Sequence, residues 1–239
     1  MIFFGQTDVG LKRAKNEDSF VVKPGQGLCL VADGMGGAAA GELASRIFVE
    51  TAVELFSETL SRAEDDTAGL VQKAFEGANE RVLDHVRSEP RHEGMGCTAE
   101  LVAFCNDSFV LGHVGDSRTY LLRNAELKQL TEDHSFVQDQ VNRGIITPAE
   151  AKNHPLRSVI LRAVGVKEKI DVDLMRGKAL PGDLFLLCSD GLTDMVDDTL
   201  IQEALSSNGA IHDKVDKLID LAKSAGGHDN VTVVLCAVT

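Results

Sequence analysis

The spacing of apolar residues predicts helices in two parts of the chain. Apolar side chains recur every three or four positions over residues 43–56 and again over residues 71–82, which is the repeat of one buried helix face. The same repeat over residues 211–222 predicts a helix near the C-terminus. Asp197 and Asp198 precede a further helical stretch, where they are suited to cap its first turn.

Short apolar runs predict strands in the middle of the chain. Residues 97–131 are rich in Val, Leu, Phe and Tyr, and turn-forming pairs such as Asn106-Asp107 and Arg123-Asn124 interrupt them. We expect a meander of strands joined by tight turns there. Further strands are expected at residues 170–176, 183–188 and 231–238.

The order of the elements favours an α+β fold. Residues 134–165 predict one helix and an irregular stretch that contains Pro148 and Pro155. No repeat or low-complexity linker divides the sequence, so we expect one domain over residues 1–239. Because the strands come in groups instead of alternating with helices, we expect antiparallel sheets with helices layered outside them.

The composition is that of an ordinary folded protein, with 44% apolar and 26% charged residues. The formal net charge of -13 would repel nucleic acids and anionic lipids, so we expect neither as a partner. No apolar stretch is long enough to span a bilayer, and the N-terminus lacks the basic segment of a secretory signal. The five cysteines are odd in number and lack C-x-x-C spacing. They favour buried, reduced thiols and a cytoplasmic location over a catalytic thiolate.

Acidic residues stand at the ends of several apolar runs. Asp33, Asp116 and Asp190 each end such a run, and Asp229 comes directly before the last one. A single Asp beside Gly or Asn is typical of a turn. If these strand ends share one edge of a sandwich, however, the carboxylates converge, and two charges about 4 Å apart repel by roughly 4 kcal/mol at an effective dielectric of about 20. Bound cations would then be required.

The available ligands indicate hard cations. Oxygen ligands without a Cys/His cluster favour magnesium or manganese over zinc. Two such ions can share a water molecule, lower its pKa and align it for attack on phosphorus, which would let an acidic protein bind a phosphate ester. The cluster Gly34-Met35-Gly36-Gly37 after Asp33 allows a close approach of the backbone and offers a carbonyl to a metal.

Short motifs follow one another in a definite order along nearly the whole chain. They are Asp8-Val9-Gly10, Arg13, Asn16-Glu17-Asp18, Val31-Ala32-Asp33-Gly34-Met35-Gly36-Gly37, Gly115-Asp116-Ser117-Arg118, Asp133-His134-Ser135, Ser189-Asp190-Gly191-Leu192 and Asp229-Asn230-Val231-Thr232. In this order and spacing the chain resembles the PPM, or PP2C-type, protein phosphatases, and in particular their compact bacterial members. The resemblance implies a metal-dependent phosphatase acting on phosphoserine and phosphothreonine in proteins. It also implies a four-layer αββα sandwich of two antiparallel sheets flanked by helices.

The resemblance implies a ligand set for two Mn²⁺ or Mg²⁺ ions. Asp33 would bridge the two ions, between which the attacking water lies. Asp190 and Asp229 would complete the protein ligands of the first ion, and Gly34 would give its carbonyl to the second.

The resemblance also implies roles around this pair of ions. Glu17 would hold metal-bound water, and Arg13 would bind the substrate phosphate with its planar fork. Asp116, together with Asp190, would bind a third and weaker cation. Residues 135–165 would form a flap beside the active site. The implied partners are phosphoprotein substrates and a cognate serine/threonine kinase, and we expect a monomer.

One position departs from some eukaryotic members of the family. They carry a histidine after the Asp-Gly pair as general acid, whereas this chain has Met35, whose thioether cannot donate a proton. The remaining alternatives for the acid are a metal-bound water, His134 or another residue. For His134, an ordered loop residue bonded to backbone is the simpler interpretation.

Two other functions would leave different traces in the sequence. A catalytically inactive relative that only binds phosphoproteins would be expected to lack a metal ligand, and every matching acid is present here. An aspartyl-phosphate hydrolase needs a D-x-D-x-[TV] motif after an apolar strand. The chain offers only Asp171-Val172-Asp173, with charged residues before it and Met175 in the place of Thr or Val.

Overall fold

The computed structural model describes residues 1–36, 40–57 and 63–239, so Gly37 of the glycine cluster lies outside the described residues. Within these ranges the strands are β1 (Ile2–Asp8), β2 (Ser19–Lys23), β3 (Leu28–Ala32), β4 (Gly34–Met35), β5 (Gly96–Cys97), β6 (Ala99–Cys105), β7 (Ser108–Val114), β8 (Arg118–Arg123), β9 (Glu126–Gln129), β10 (Asp173–Lys178), β11 (Leu184–Cys188) and β12 (Val231–Ala237). The helices there are α1 (Gly41–Phe56), α2 (Glu64–Ser88), α3 (Phe136–Asn142), α4 (Pro148–Lys152), α5 (Asp190–Thr193), α6 (Asp198–Ser206) and α7 (Ile211–Ser224).

Two antiparallel sheets carry most of these strands. The first sheet has the order β1-β12-β11-β8-β9, and the second has the order β10-β7-β6-β3-β2. Strands β4 and β5 form a small separate ladder. Asp33 follows β3, Asp190 follows β11 and Asp229 precedes β12. The strands that lead to these three carboxylates are therefore interior strands, flanked by a neighbour on both sides.

Three clusters of buried apolar side chains separate four layers. One cluster, which includes Leu30 and Phe48, lies between the second sheet and helices α1 and α2. Another, which includes Leu186 and Leu218, lies between the first sheet and helices α5, α6 and α7. The third lies between the two sheets and includes Val31. Successive residues of β3 thus point into different clusters, as the pleat of a strand buried on both faces requires. The αββα sandwich is confirmed.

The predicted amphipathic helices are confirmed as α1, α2 and α7. Asp197 caps α6 as predicted, since its Oδ1 accepts a hydrogen bond from the Leu200 N–H at 2.9 Å. Asp198 is instead the first residue inside that helix. Among the helices of the described ranges, none is long and apolar enough to cross a membrane.

Two predicted segments differ from the structure. The strand predicted at residues 170–176 begins three residues later, because its ladder with β7 starts where Asp173 pairs with His113. Residues 134–165 contain two short helices, α3 and α4, where one was predicted. The second forms because Thr147 and Glu150 make a reciprocal capping box at its start.

A buried ion pair lies within the second sheet, and its carboxylate also bonds the first sheet. Nδ1 of His113 contacts Oε1 of Glu100, and Nε2 lies 2.9 Å from the backbone oxygen of Glu132. Because both ring nitrogens face acceptors, His113 is a cation. Burial alone would lower the pKa of His113, but the Glu100 carboxylate overcomes this effect and raises it to about 9. The other oxygen of Glu100 accepts from Thr119 Oγ1 at 2.5 Å, which connects β6 of the second sheet to β8 of the first.

This ion pair predicts a loss of stability in mild alkali. A histidine whose pKa is raised on folding stabilises the protein fully below its ordinary pKa of about 6.5 and loses that contribution as the pH rises through its folded value. We expect on the order of 3 kcal/mol to be lost between about pH 6.5 and pH 9, measured by urea unfolding. His113→Gln should be less stable at pH 6.5 and should lack this decline. If the free energies of unfolding of the two proteins changed in parallel over that pH range, His113 would not be charged.

Candidate active site

Four of the five acidic residues predicted at the site line one cleft of about 500 Å³. Asp33 comes from the second sheet, whereas Asp190 and Asp229 come from adjacent strands of the first. The predicted site residues that line this cleft are Arg13, Glu17, Asp33, Gly34, Asp190 and Asp229. The end of the sandwich thus assembles residues that are up to 216 positions apart in sequence.

Asp116 lies in a second cleft of about 410 Å³ beside the first. Asp190 lines both clefts. Residues 135–165 contribute to both as well: Ser158 and Ile160 line the first cleft, and Arg157 belongs to the second. The segment predicted to be a flap therefore extends along the two clefts, with Asp190 between them.

Two hydrogen bonds with Thr98 hold the backbone of Asp33 at the end of β3. The Thr98 N–H donates to the Asp33 carbonyl at 2.9 Å, and the Asp33 N–H lies 3.3 Å from Thr98 Oγ1. Thr98 Oγ1 also lies 2.6 Å from Ser117 Oγ, next to Asp116. At Gly34, any Cβ would come within 2.3 Å of the Gly41 carbonyl oxygen, so only glycine fits between the adjoining backbones.

Asp18 lies beside Asp33, although no role was predicted for it. Its Oδ2 accepts hydrogen bonds from Ser189 Oγ at 2.8 Å and from Thr232 Oγ1 at 2.6 Å. Burial raises the pKa of Asp18 to about 6, and its carboxyl interacts with that of Asp33. The motifs contain Asp18, Ser189 and Thr232, but only the fold shows that their side chains meet.

Asn230 holds the N-terminal part of the site in place. Its Oδ1 accepts from the Glu17 N–H at 2.8 Å, and its Nδ2 donates to the carbonyls of Val9 and Lys15 at 3.0 and 2.9 Å. The segment between Val9 and Glu17 includes Arg13. One amide side chain at the start of β12 therefore fixes the loop on which the predicted phosphate-binding arginine stands.

The buried carboxylates of the cleft are held near one another without sufficient positive charge. Burial raises the pKa of Asp33 well above its ordinary value, and the charges of Asp18, Asp190 and Asp116 raise it further. Burial, followed by the charges of Asp116, Asp194 and Asp229, has the same effect on the pKa of Asp190. Burial and nearby Asp133 raise the pKa of Asp116 to about 7. Proton uptake is the response of such a cluster when no cation balances it.

Arg13 supplies the cleft with one positive charge. Its Nη2 lies 2.6 Å from Oδ2 of Asp229, and this contact raises the pKa of the guanidinium. Burial raises the pKa of Glu17, which lines the same cleft, and neighbouring Glu42 adds to the effect. The arginine predicted to bind phosphate is thus paired with a carboxylate predicted to bind metal.

The residues fit a hard cation, although their side chains are not gathered around one point. Within the described ranges, no group of three or more His, Cys, Asp and Glu side chains is arranged to hold a metal ion. Oδ1 atoms of Asp18, Asp116 and Asp190 are nevertheless buried with no hydrogen-bond partner. Unpaired buried carboxylate oxygens are costly, and a divalent cation with oxygen ligands would satisfy them.

Neither Met35 nor His134 offers a proton to the cleft. Met35 lines it with a thioether. His134 lines neither cleft, and its Nδ1 accepts a hydrogen bond from the Gly115 N–H at 3.1 Å. Burial and the positive charges of His113 and Arg162 lower the pKa of His134 to about 4. The geometry matches the simpler interpretation of His134 as an ordered loop residue.

Two further chemistries find no support in the cleft. Asp173, from the D-x-D segment, points to His134 and Arg162 and lines neither cleft. The five cysteines are buried and free, as expected. Burial raises the pKa of the Cys97 and Cys188 thiols above the ordinary value, which disfavours a thiolate.

The crowding of carboxylates predicts that Asp33→Asn stabilises the metal-free protein. A carboxyl group whose pKa is raised on folding loses stabilising free energy as the pH rises from its ordinary value through its folded value, and pH 7 lies above the ordinary value. After treatment with EDTA, the variant should melt at least about 2–4 °C higher than wild type, the shift that 1 kcal/mol gives in a protein of this size.

Added Mn²⁺ should raise the melting temperature of wild type far more than that of Asp33→Asn, because ligands that bind only the folded state stabilise it. Asp216→Asn, on the exposed face of α7, is the matched control and should behave as wild type. A lower melting temperature for metal-free Asp33→Asn would contradict the repulsion inferred here.

Comparison with known proteins identifies the family. The family Protein phosphatase 2C matches residues 12–235. The chain is 41% identical over 235 residues to the serine/threonine phosphatase stp of Listeria monocytogenes, covering 96% of this chain and 93% of that protein. It is 44% identical over 241 residues to the serine/threonine protein phosphatase PstP of Mycobacterium tuberculosis, covering 99% of this chain but 45% of that protein.

The fold is similar to that of solved phosphatases. The crystal structure of the catalytic domain of PstP in complex with two manganese ions has a TM-score of 0.89 with this chain at 40% identity. The similarity covers 98% of this chain and 96% of that one. The cleft, its carboxylates and its arginine thus occur in a fold shared with enzymes that hydrolyse phosphate esters. The chain belongs to the protein phosphatase 2C family and is a protein serine/threonine phosphatase.

Proposed function

We propose that this phosphatase requires two or three Mn²⁺ or Mg²⁺ ions, dephosphorylates serine and threonine in phosphoproteins, and reverses the action of a serine/threonine kinase. The observation that carries the proposal is the meeting of the buried carboxyl groups of Asp33 and Asp190 beside Arg13 in one cleft. Carboxylates alone would repel a phosphate ester, whereas carboxylates balanced by cations would attract it.

Four residues of the chain would hold the two principal ions. Asp33, Asp190 and Asp229 present carboxylate oxygens to the cleft, and Gly34 presents its backbone. The bound cations would supply Lewis-acid activation of a water molecule and balance the charge of the phosphate. Glu17 lines the cleft, where its carboxylate could accept a hydrogen bond from water and orient it.

Neighbouring residues of the chain hold Asp33 in position. Thr98 holds the backbone of Asp33 on both sides, so that carboxyl group leaves β3 in one direction. Asp18, which accepts hydrogen bonds from Ser189 and Thr232 of the first sheet, lies close to Asp33. This support limits the carboxylate of Asp33 to the cleft, where preorganisation favours the reaction.

Arg13 would bind the phosphate group of the substrate. Its side chain is 56% exposed and is held by a single carboxylate, so it can exchange that partner for a phosphate. A guanidinium matches two phosphate oxygens with parallel hydrogen bonds. We propose that Arg13 leaves Asp229 when cations bind there and turns to the substrate.

The third cation would bind in the second cleft. Asp116 and Asp190 both line that cleft, and each has an Oδ1 atom without a hydrogen-bond partner. As the family resemblance implies, we expect this cation to be the weakest of the three.

The proposed substrates are inferred from the relatives, which are serine/threonine phosphatases by name. The kinase is proposed because a serine/threonine kinase would attach the phosphate that this enzyme removes. A panel of phosphoproteins, each labelled by a different serine/threonine kinase, would test this part directly. Release of phosphate from phosphoserine or phosphothreonine but not from phosphotyrosine is the expected result.

The dependence on metal predicts that chelation abolishes turnover. Hydrolysis of p-nitrophenyl phosphate should be negligible in EDTA and should return when Mn²⁺ or Mg²⁺ is added in excess, because the nucleophile requires activation by the cations. Undiminished turnover after thorough chelation would exclude the mechanism. The heat-denatured protein with Mn²⁺ provides the blank for metal-catalysed hydrolysis.

Replacing Arg13 by lysine tests whether phosphate is recognised by geometry or by charge. Arg13→Lys keeps the positive charge but loses the planar fork. A charged hydrogen bond is worth about 1.5–3 kcal/mol, so kcat/KM on a phosphopeptide should fall roughly ten- to a hundredfold. Arg46→Lys, an exposed arginine of α1 that pairs only with Glu50 at 3.9 Å, is the matched control. Equal kcat/KM for Arg13→Lys and wild type would remove Arg13 from substrate binding.

A further inference from the structure

His134 forms hydrogen bonds with the end of the second sheet and with the flap, which comprises residues 135–165. Its backbone N–H donates to the Gly115 carbonyl at 2.7 Å, and its own carbonyl accepts from the Leu161 N–H at 2.7 Å. The next residue, Ser135, forms a bridge with Ile160. His134 therefore stands at the base of the flap, where the two ends of the segment run side by side.

The side chain of His134 returns to the same glycine. Its Nδ1 accepts from the Gly115 N–H at 3.1 Å. Gly115 has a φ of 116°, and a Cβ there would lie 2.5 Å from the Cβ of Thr98. This residue can therefore be only glycine, and the donor that His134 accepts belongs to a tightly constrained backbone. Asp116 follows directly in sequence.

The hydrogen bonds fix the tautomer of His134. Because Nδ1 is an acceptor, the proton of the neutral ring is on Nε2, which donates to Oδ2 of Asp173 at 3.2 Å. Arg162, near the end of the flap, donates to Oδ1 of the same Asp173 at 2.9 Å. The ring thus connects the Gly115 backbone with the Asp173 carboxylate. The same carboxylate accepts a hydrogen bond from Arg162 of the flap.

We propose that His134 is a positioning residue that fixes the Asp116 loop and the base of the flap relative to each other, through the acceptor at Nδ1. A shift of either group against the other would break a hydrogen bond made by His134 or by its partner Asp173. This inference adds a residue to the proposed function and depends on it only for the third cation, because the exchange measurement below needs no metal.

A simple packing role for the ring is the competing explanation. The His134 side chain is 8% exposed, and its ring centroid lies 4.5 Å from that of His113. If volume alone mattered, the larger replacement would serve better. Replacing His134 by asparagine or by glutamine distinguishes the packing role from the hydrogen-bonding role, because both replacements carry an amide and differ only in length.

His134→Asn places an amide oxygen as many bonds from Cα as Nδ1 and keeps an acceptor for the Gly115 N–H. His134→Gln fills more of the space of the ring and keeps a donor near Asp173, but it loses the acceptor at the Nδ1 position. Amide hydrogen exchange of the metal-free protein should show faster exchange at Gly115 and Leu161 in His134→Gln, by about three- to tenfold, the effect of losing one neutral hydrogen bond. His134→Asn should stay close to wild type.

The second measurement is Mn²⁺ binding by calorimetry. The third site is defined by the phase that is absent from Asp116→Asn. Its affinity should fall about three- to tenfold in His134→Gln and stay near wild type in His134→Asn, with the tighter phases unchanged in both. If His134→Gln equals or exceeds His134→Asn in amide protection, the clamp through Nδ1 is wrong. If Asp116→Asn removes no phase, the proposed third cation fails, and the exchange measurement alone decides about His134.

Discussion

Mutual repulsion between buried carboxylates is the constraint on which the rest of this structure depends. The ends of interior strands from two sheets bring Asp33 and Asp190 into contact, with Asp18 and Asp116 close by. An arrangement of this kind is unfavourable in the absence of compensating charge, and the large apolar layers on either side stabilise the fold despite it. The site is therefore strained by its charge, and the proposed cations would relieve that strain.

Hydrogen bonds from uncharged side chains hold the acidic residues of the site in position. Thr98 holds the backbone of Asp33, and Asn230 holds the loop that carries Arg13. Ser189 and Thr232 donate to Asp18 from the first sheet. Such hydroxyl and amide groups neutralise no charge, but they fix its location, which is the requirement for electrostatic preorganisation.

The layers and the cleft were largely predictable, whereas the support around them was not. Periodicity gave α1, α2 and α7, because each buries one continuous apolar face. The acidic strand ends indicated Asp33, Asp190 and Asp229, since their spacing relative to apolar runs is a local feature. The contact of Asp18 with Thr232 joins residues 214 positions apart, and no local pattern carries such information. One of the two flap helices was missed because α4 depends on a four-residue capping box and buries no side chain.

The position of Asp190 between the two clefts restricts how this enzyme can diversify. One short side chain faces two sites, and it cannot be altered to suit one of them without changing the other. Variation that changes the second cleft alone has to come from residues that line only that cleft, such as Arg157. Substitutions among the residues that line one cleft can therefore accumulate during evolution, whereas Asp190 has to be retained.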